Sequence, residues 1–430
     1  MFVLISILGW TISIPACNLQ RFNEPKSTSI ATSSPAFLTM EQNPSPSPTE
    51  GIIQGTISIW HSWEEKDRAA LDQIIRGFSE INPNVFFDVL YIPSEDIQTR
   101  FEVETREGTG PTLLIGPAEW GPGFLDNGVI EDLNQFLIDP ILAPINKPAL
   151  EASKYRNTLV GFPLTIQGIV LFRNKEIATL RPSSFEELAI LAQSSTQGED
   201  IGAILERSYF FSGAHLNGIG GEWMDSEGIP EFNNQRGLAW MELLRQFEEA
   251  GPPNFLTDQD VEFFKSGRVG WIIDGTWNIQ MLADSIGSDN LAIDPWPSCD
   301  EGLLSGYVIP ENIYLSSQIV DDNQEAVRKF IEYSLSPEAQ SFLAEVGRIP
   351  SINSLQTTSQ DKNSLIAQAM TALAGGTPYP ILPELTIYNI NIDIAIQAVF
   401  VDGIQPEQAL QSAETAILEE LQESRPTSTP

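Results

Sequence analysis

Two tryptophans stand beside carboxylates, each just after a predicted β-strand. Trp63 is followed by Glu64, and Trp120 is preceded by Glu119. The face of an indole ring suits apolar C–H groups, and a carboxylate beside it accepts hydrogen bonds from hydroxyls or pairs with an ammonium group. Two carboxylates about 5–10 Å apart could also hydrolyse a glycosidic bond. These residue types therefore allow three functions: polyol binding, cation binding and acid–base hydrolysis.

The common signatures of catalytic and metal sites are missing from the sequence. It contains no GxSxG, HExxH, P-loop or CxxC pattern. Its two histidines, His61 and His215, are too few for a His-rich metal centre. We therefore expect no catalytic residue, no metal and no cofactor.

The charge of the chain excludes several classes of partner. The formal net charge is −35, because 23 Lys and Arg face 58 Asp and Glu. Nucleic-acid binding needs a basic surface, so it is excluded, as is adhesion to anionic lipid. The same imbalance argues against a ligand held mainly by Arg or Lys.

The N-terminus predicts export and lipid attachment. Residues 1–16 are almost wholly apolar and end at Ala16, directly before Cys17. This pattern is typical of a lipoprotein signal peptide, cleaved so that Cys17 carries the lipid. An uncleaved anchor is the alternative, although a helix needs roughly 20 residues to span a bilayer. Residues 17–50 are rich in Ser, Thr and Pro and predict a flexible tether, and Cys299 is left without a disulfide partner.

The chain after the tether begins with alternating strands and helices. TISIW at 56–60, VFFDVLYI at 85–92 and PTLLIG at 111–116 predict strands. Between the first two, a helix is predicted to begin at a capping box of Ser62 and Glu65 and to end near Asn82. Strands joined by helices predict a parallel sheet, which binds ligands beyond the carboxyl ends of its strands. Those ends bring Trp63 and Trp120 to one edge.

Later segments continue the α/β pattern. A second capping box of Ser183 and Glu186 predicts a helix start, and Asn234 precedes another apolar helix. Residues 263–282 predict a helix end, a strand and a turn into a helix that carries Trp277. Ser336, followed by Pro337, predicts a further helix. The sequence therefore indicates an α/β protein without internal repeats.

Five stretches of the sequence follow one another in the order in which similar motifs occur in a known protein family. They are GTISIWHSW, GTGPTLLIGPAEWGPGFLDNGVIEDL, VGFPLTIQGIVLFRNKEI, FKSGRVGWIIDGTW and SPEAQSFLAEVGRIPS. On these stretches the chain resembles family 1 of the extracellular solute-binding proteins. This is the maltodextrin-binding type, the substrate-binding lipoproteins of ABC importers. The resemblance runs from Thr56 to about Glu423. Thr112 stands where the family usually has Asp, and Arg173 where it usually has Tyr.

The resemblance implies a two-lobed, type II periplasmic-binding fold whose lobes are discontinuous and close about hinge segments. Lobe I would comprise residues 51–162 and 301–349, and lobe II residues 163–300 and 350–425. The crossings between lobes would lie near residues 161–164, 297–303 and 348–351.

The resemblance also implies the position of the ligand, in the cleft between the lobes. Lobe I would contribute the two tryptophans and carboxylates already named. The residues expected from lobe II are Gln167, Tyr209, Asp274, Trp277 and Tyr388. Gln167 stands where a carboxylate is common in the family, which leaves the identity of the sugar open.

The resulting functional hypothesis is a monomeric protein that captures a carbohydrate outside the cytoplasmic membrane and delivers it to ABC permease subunits. A polyamine or other small solute is the alternative within the same fold, because Trp and carboxylates also suit ammonium groups. An exported glycoside hydrolase is the alternative in another class.

Overall fold

The computed structural model describes residues 53–131, 133, 139–254, 258–319, 323–355 and 364–424. The strands in these ranges are β1 (Gly55–His61), β2 (Val85–Tyr91), β3 (Leu113–Pro117), β4 (Lys154–Tyr155), β5 (Thr158–Leu159), β6 (Phe162–Asn174), β7 (Ile201–Ile204), β8 (Val269–Gly275), β9 (Leu291–Asp294), β10 (Ser298–Cys299), β11 (Gly302–Leu303), β12 (Tyr307–Leu315), β13 (Ile349–Pro350) and β14 (Thr377–Pro378).

The helices in the same ranges number sixteen. They are α1 (Glu65–Ile81), α2 (Ser94–Arg106), α3 (Gly121–Asp126), α4 (Asp139–Leu142), α5 (Lys147–Glu151), α6 (Phe185–Ser195), α7 (Tyr209–Ser212), α8 (Ala214–Gly218), α9 (Gln235–Ala250), α10 (Gln259–Lys265), α11 (Ile279–Ile286), α12 (Gln324–Ser334), α13 (Pro337–Glu345), α14 (Leu365–Ala374), α15 (Leu385–Phe400) and α16 (Pro406–Ser424).

The first three strands form the parallel sheet that the sequence predicts. β1 lies between β2 and β3 and pairs in parallel with both. Trp60 is opposite Leu90 on one side and Leu114 on the other. The carboxyl ends of β1 and β3 therefore lie at the same edge of the sheet, as expected.

Two long antiparallel strands continue this sheet into its second half. β12 pairs with β3 along residues 311–315 and with β6 along residues 308–313. β6 extends beyond β12 to pair with β8 and β9, and β7 adds to β8 in parallel. The strand order is β2-β1-β3-β12-β6-β8-β7. One sheet thus runs through the whole described domain.

Helices cover both faces of each half of the sheet. In the first half, α1, α12 and α13 bury one apolar cluster, and α2 and α3 bury another on the opposite face. In the second half, α6, α9, α15 and α16 contribute to one cluster and α10, α11 and α14 to another. Each half is therefore a sheet between two helical layers, which confirms the α/β prediction.

Two predicted helix starts are wrong by one residue or more. α1 begins at Glu65 after Glu64, which makes no side-chain cap, so Ser62 and Glu65 do not form a capping box. At α6 the cap is Ser184, whose hydroxyl accepts from the backbone N–H of Glu187 at 3.1 Å. The sequence S-S-F-E-E allows either Ser183 or Ser184 to cap the helix, and in the structure Ser184 is the cap. The helix predicted after Asn234 is α9, and the side chain of Asn234 caps it by accepting from the N–H groups of Arg236 and Gly237.

The second crossing between the halves also lies later than predicted. Residues 298–303 form the short hairpin of β10 and β11, whereas β12 makes the crossing at residues 307–315. The first predicted crossing, near residues 161–164, falls at the start of β6. The third, near residues 348–351, falls at β13, and β13 pairs with residues 165–166 of β6. The lobe boundaries remain a prediction.

Several sequence predictions lie outside the described residues, namely the signal peptide 1–16, Cys17 and the tether to residue 50. Over the ranges that are described, no helix combines the length and the apolar character needed to cross a bilayer. Cys299 is free and half-buried, and it packs against the larger cluster of the second half.

Two buried carboxylates fix turns at the carboxyl edge of the second half. Asp274 accepts from the N–H of Gly275 at 2.6 Å and from the amide of Asn278 at 2.7 Å, at the end of β8. Glu206 accepts from the N–H groups of Arg207 and Ser208 at 3.1 and 2.9 Å, directly before α7. A third buried carboxylate, Asp260, lies near both. Burial, together with these two negative charges, raises the pKa of Asp260 to about 7.

We expect Asp260→Asn to remove part of the pH dependence of stability. The pKa of Asp260 is about 7 when folded against an ordinary value of 3.8, so the folded state holds a proton that the unfolded state releases. The free energy of unfolding therefore falls as pH rises from about 4 to 7, by on the order of 4 kcal/mol.

Urea unfolding of the wild-type protein and the Asp260→Asn variant at pH 4.5, 6 and 8 measures this difference. The exposed Asp402→Asn is the matched control, and its pH profile should follow that of the wild-type protein. Parallel profiles for wild type and Asp260→Asn would contradict the prediction.

Candidate ligand-binding site

A cavity of about 800 Å³ opens between the two halves of the sheet. Its wall combines the start of α1, the middle of β6, the turn after β8 and the segment before β13. The residues used below are Lys66, Asp67, Thr165, Gln167, Lys175, Trp277, Asp284, Asp289 and Arg348. Its volume is in the range of small-molecule sites, about 300–1,000 Å³.

Trp277 is the one aromatic side chain among the described residues that line this wall. It follows β8 in a one-turn 3₁₀-helix, Thr276–Asn278, and its side chain is 41% exposed. The indole lies against Gly275, where a Cβ would come within 2.0 Å of the ring. The other edge of the ring meets Phe210, with the ring centroids 6.0 Å apart. The ring is thus held by its neighbours and presents a flat apolar surface to the cavity.

Gln167 and Asp274, the polar residues predicted beside Trp277, have different positions. Gln167 lies on β6, is exposed, and lines the cavity, where its amide can both donate and accept hydrogen bonds. Asp274 is buried and is used by the turn, and burial raises the pKa of its carboxyl. Asp274 therefore positions Trp277 and does not itself line the cavity.

Trp63 lies behind the cavity wall. Its side chain is 2% exposed, and its indole N–H donates to Oε1 of Glu311 at 2.7 Å. The guanidinium of Arg348, which does line the cavity, sits 4.0 Å from the indole ring. Glu64 is exposed at the start of α1 and accepts from the hydroxyl of Tyr91. Trp63 thus supports a cavity residue and is not itself part of the surface.

Glu119 and Trp120 follow β3 in the one-turn helix Ala118–Trp120. Trp120 is half-buried against Gly116, where a Cβ would come within 2.3 Å of the ring. Glu119 is exposed, and its negative charge lies close enough to Tyr379 to affect the pKa of the phenol. Burial, with the negative charge of Glu119 adding to it, raises the pKa of Tyr379. These two residues do not appear among the described residues that line the 800 Å³ cavity.

Tyr209 and Tyr388 must be removed from the candidate site. Both side chains are completely buried in the larger apolar cluster of the second half. The Tyr209 ring packs against Trp223 at 4.9 Å, and the hydroxyl of Tyr388 donates to the carbonyl of Gly228 at 3.0 Å. Neither residue offers a surface to a ligand, so both predictions are wrong for this conformation.

Three residues near the cavity were missed by the sequence reasoning. Phe210, next to Tyr209, is half-buried and connects Trp277 to Tyr379, whose ring centroid is 5.7 Å from its own. Arg348 lines the cavity although the overall charge argued against a basic contact. The run Tyr209-Phe210-Phe211 was a signal, but only the fold shows which ring of a short helix faces outward.

A row of aromatic side chains begins at Trp277, which lines the cavity, and continues through Phe210 and Tyr379, which are not among the described residues that line it. Trp277, Phe210 and Tyr379 follow one another at centroid distances of 6.0 and 5.7 Å. Glu119 lies near the Tyr379 end of the row. Among the described residues, no group of three or more His, Cys, Asp or Glu side chains is placed to hold a metal ion. The arrangement suits a ligand with apolar faces and hydroxyl edges.

Comparison with known proteins identifies relatives that are binding proteins. The chain is 22% identical to the maltotriose-binding protein of Pyrococcus abyssi over 326 residues, which cover 72% of this chain and 69% of that protein. It is 23% identical to a maltooligosaccharide ABC transporter solute-binding lipoprotein of Streptococcus pneumoniae over 316 residues, with 67% and 71% covered. Both relatives are named as binding proteins rather than enzymes.

A solved structure shows the same fold. The extracellular solute-binding protein of Staphylococcus aureus, in complex with maltose, superposes with a TM-score of 0.75 at 20% identity, covering 86% of this chain and 99% of that one. The two-lobed fold of the type II periplasmic-binding class, expected from the sequence, is thereby confirmed.

The family itself follows from a match over most of the chain. The sequence profile of the family described as bacterial extracellular solute-binding protein matches residues 73–369. This range includes β6, β8, β12 and β13, which frame the cavity between the halves of the sheet. The chain belongs to the bacterial extracellular solute-binding proteins.

Proposed function

We propose that this protein captures a neutral carbohydrate outside the cytoplasmic membrane and delivers it to the permease subunits of an ABC importer. The row of Trp277, Phe210 and Tyr379 supplies aromatic faces for the C–H surfaces of sugar rings. Gln167 supplies donors and acceptors for hydroxyls. The relatives named for maltotriose and maltooligosaccharides support the same ligand class.

The balance of charges in the cavity wall is the reason for proposing a neutral ligand. Among the described residues, its wall has three cationic side chains, Lys66, Lys175 and Arg348, and three carboxylates, Asp67, Asp284 and Asp289. The chain as a whole has a formal net charge of −35, so this balance is a local exception. A polyamine site would need an excess of carboxylates to replace the hydration of the ammonium groups. The balanced wall therefore favours a sugar over a polyamine.

We further propose that no bond is broken in this site. The carboxylates of the cavity wall are accompanied by cations, and Asp67 pairs with Arg348 at 3.0 Å. A glycoside hydrolase needs one carboxyl group that is protonated as general acid and a second that is ionised. We expect purified protein to release no reducing sugar from maltooligosaccharides. We also propose that the protein acts as a monomer whose lobes close about the hinge strands before delivery to a permease.

Calorimetry with maltotriose and with spermidine tests the ligand class. We expect saturable binding of maltotriose and no binding of spermidine at physiological ionic strength, because the charges of the wall balance. Thermal unfolding gives an independent readout, since a ligand that binds only the native state raises the midpoint. Saturable binding of spermidine, with no response to a panel of oligosaccharides, would overturn the proposal.

Trp277→Ala should weaken maltotriose binding tenfold to a hundredfold, or about 1.4–2.8 kcal/mol, because the flat apolar face is lost. Trp277→Phe keeps a ring and should recover most of the affinity. Phe263 is the matched control, because it is 37% exposed on α10 and is not among the described residues lining the cavity. Phe263→Ala should bind like the wild-type protein. Equal affinities for Trp277→Ala and the wild-type protein would exclude Trp277 from the site.

Attachment through a lipid on Cys17 is proposed from the N-terminal sequence and from the lipoprotein relative of Streptococcus pneumoniae. In a bacterial host, Cys17→Ser should abolish incorporation of an alkyne-labelled fatty acid and move the protein from the membrane to the soluble fraction. Since the chain has only two cysteines, Cys299→Ser is a matched control that should stay labelled. Continued labelling of Cys17→Ser would contradict the assignment.

A further inference from the structure

The carboxylate of Glu311 joins segments from both sides of the cavity. Glu311 lies on β12 at the point where the pairing of β12 with β6 shifts register. Its Oε1 accepts from the indole N–H of Trp63 at 2.7 Å, and its Oε2 pairs with Nη1 of Arg348. The hydroxyl of Thr165, on β6, also faces Oε2 at 3.4 Å. One side chain thus contacts the β1–α1 loop, β6 and the segment that precedes β13.

Arg348 is the member of this group that reaches the cavity. Its second terminal nitrogen, Nη2, pairs with Oδ2 of Asp67 at 3.0 Å, and its guanidinium lies 4.0 Å from the ring of Trp63. The side chain of Arg348 is 18% exposed, and Arg348, Asp67 and Thr165 all line the cavity. The guanidinium is therefore held on three sides, by two carboxylates and an indole face.

The bonding of the guanidinium leaves donors for a ligand. A guanidinium has five N–H groups in a rigid plane, two of them on each terminal nitrogen. The pairs with Glu311 and Asp67 use one N–H on Nη1 and one on Nη2. Each terminal nitrogen keeps a second N–H, and the fixed plane means that little side-chain entropy is lost when a ligand oxygen accepts from it. The two carboxylates also offset the positive charge, so the contact suits a neutral hydroxyl.

We propose that Arg348 donates hydrogen bonds to hydroxyl oxygens of the bound solute, and that Glu311 is a positioning residue that holds its guanidinium on Trp63. The inference rests on the proposed function, because it names a contact within the same site. Lys66 also lines the cavity, but its ammonium makes no ion pair among those found in the described residues. The preorganised donor on this wall is Arg348.

Maltotriose titrations of Arg348→Gln, Arg348→Lys, Glu311→Gln and the double variant Glu311→Gln/Arg348→Gln test the inference. We expect Arg348→Gln to weaken binding about tenfold or more. Arg348→Lys keeps the charge but loses the planar fork, so it should fold and still bind several-fold more weakly. Glu311→Gln should weaken binding to a similar extent. The double variant should bind no more weakly than Arg348→Gln alone, because Glu311 acts through Arg348.

A matched ion pair on the surface provides the control. Arg328 and Glu325 form an exposed pair one turn apart on α12, and Arg328→Gln and Glu325→Gln should leave maltotriose affinity unchanged. Thermal unfolding without ligand separates stability from binding. Rescue of affinity by Glu311→Asp but not by Glu311→Gln would further support a positioning role.

The outcomes separate this inference from the proposed function. Wild-type affinity in folded Arg348→Gln or Arg348→Lys overturns the inference alone. Additive losses in the double variant overturn the positioning role of Glu311. Failure of the wild-type protein to bind maltotriose or any other oligosaccharide overturns the proposed function and this inference with it.

Discussion

The antiparallel pairing of β6 with β12 is the interaction on which the rest of the structure depends. β12 also pairs with β3, and β6 also pairs with β8 and β9, so these two strands connect the halves of the sheet through backbone hydrogen bonds. The cavity opens where they meet. Gln167 and Thr165 lie on β6, and Glu311 lies on β12. A change of pairing register here would turn these side chains to the opposite face of the sheet.

The cavity illustrates how a strongly acidic chain can make a neutral site. The excess of Asp and Glu, 58 against 23 Lys and Arg, can keep an exported protein soluble by mutual repulsion. Inside the cavity wall, cations and carboxylates occur in equal number among the described residues. Ion pairs such as Arg348 with Asp67 and Glu311 offset charge where a sugar must replace water. Among the described residues, three of the chain's 23 basic side chains thus lie in a wall where an equal number of carboxylates offsets their charge.

Sequence patterns predicted those features that depend on local chemistry. The parallel β1–β3 unit, the helix after Asn234 and the turn after β8 were all predicted, because strand alternation, apolar periodicity and glycine turns are local signals. The sequence pointed to Tyr209 and did not single out Phe210, because the directions of adjacent side chains in a four-residue helix are set by packing that the sequence does not show. Tyr388 was misplaced for the same reason. α15 is apolar on several sides, so its sequence does not mark the buried face.

Arg348 shows most clearly why composition is a weak guide to a single contact. An average over the chain argues against basic ligand contacts, and the average is correct for nearly the whole surface. A guanidinium becomes useful here because Glu311, Asp67 and the Trp63 ring, which are distant in sequence, converge on it. Trp63, chosen for its indole face, does present that face, but to Arg348 and not to the cavity. The sequence indicates that Trp63 offers an aromatic face, and the partner of that face could be named only once the strands had brought the two residues together.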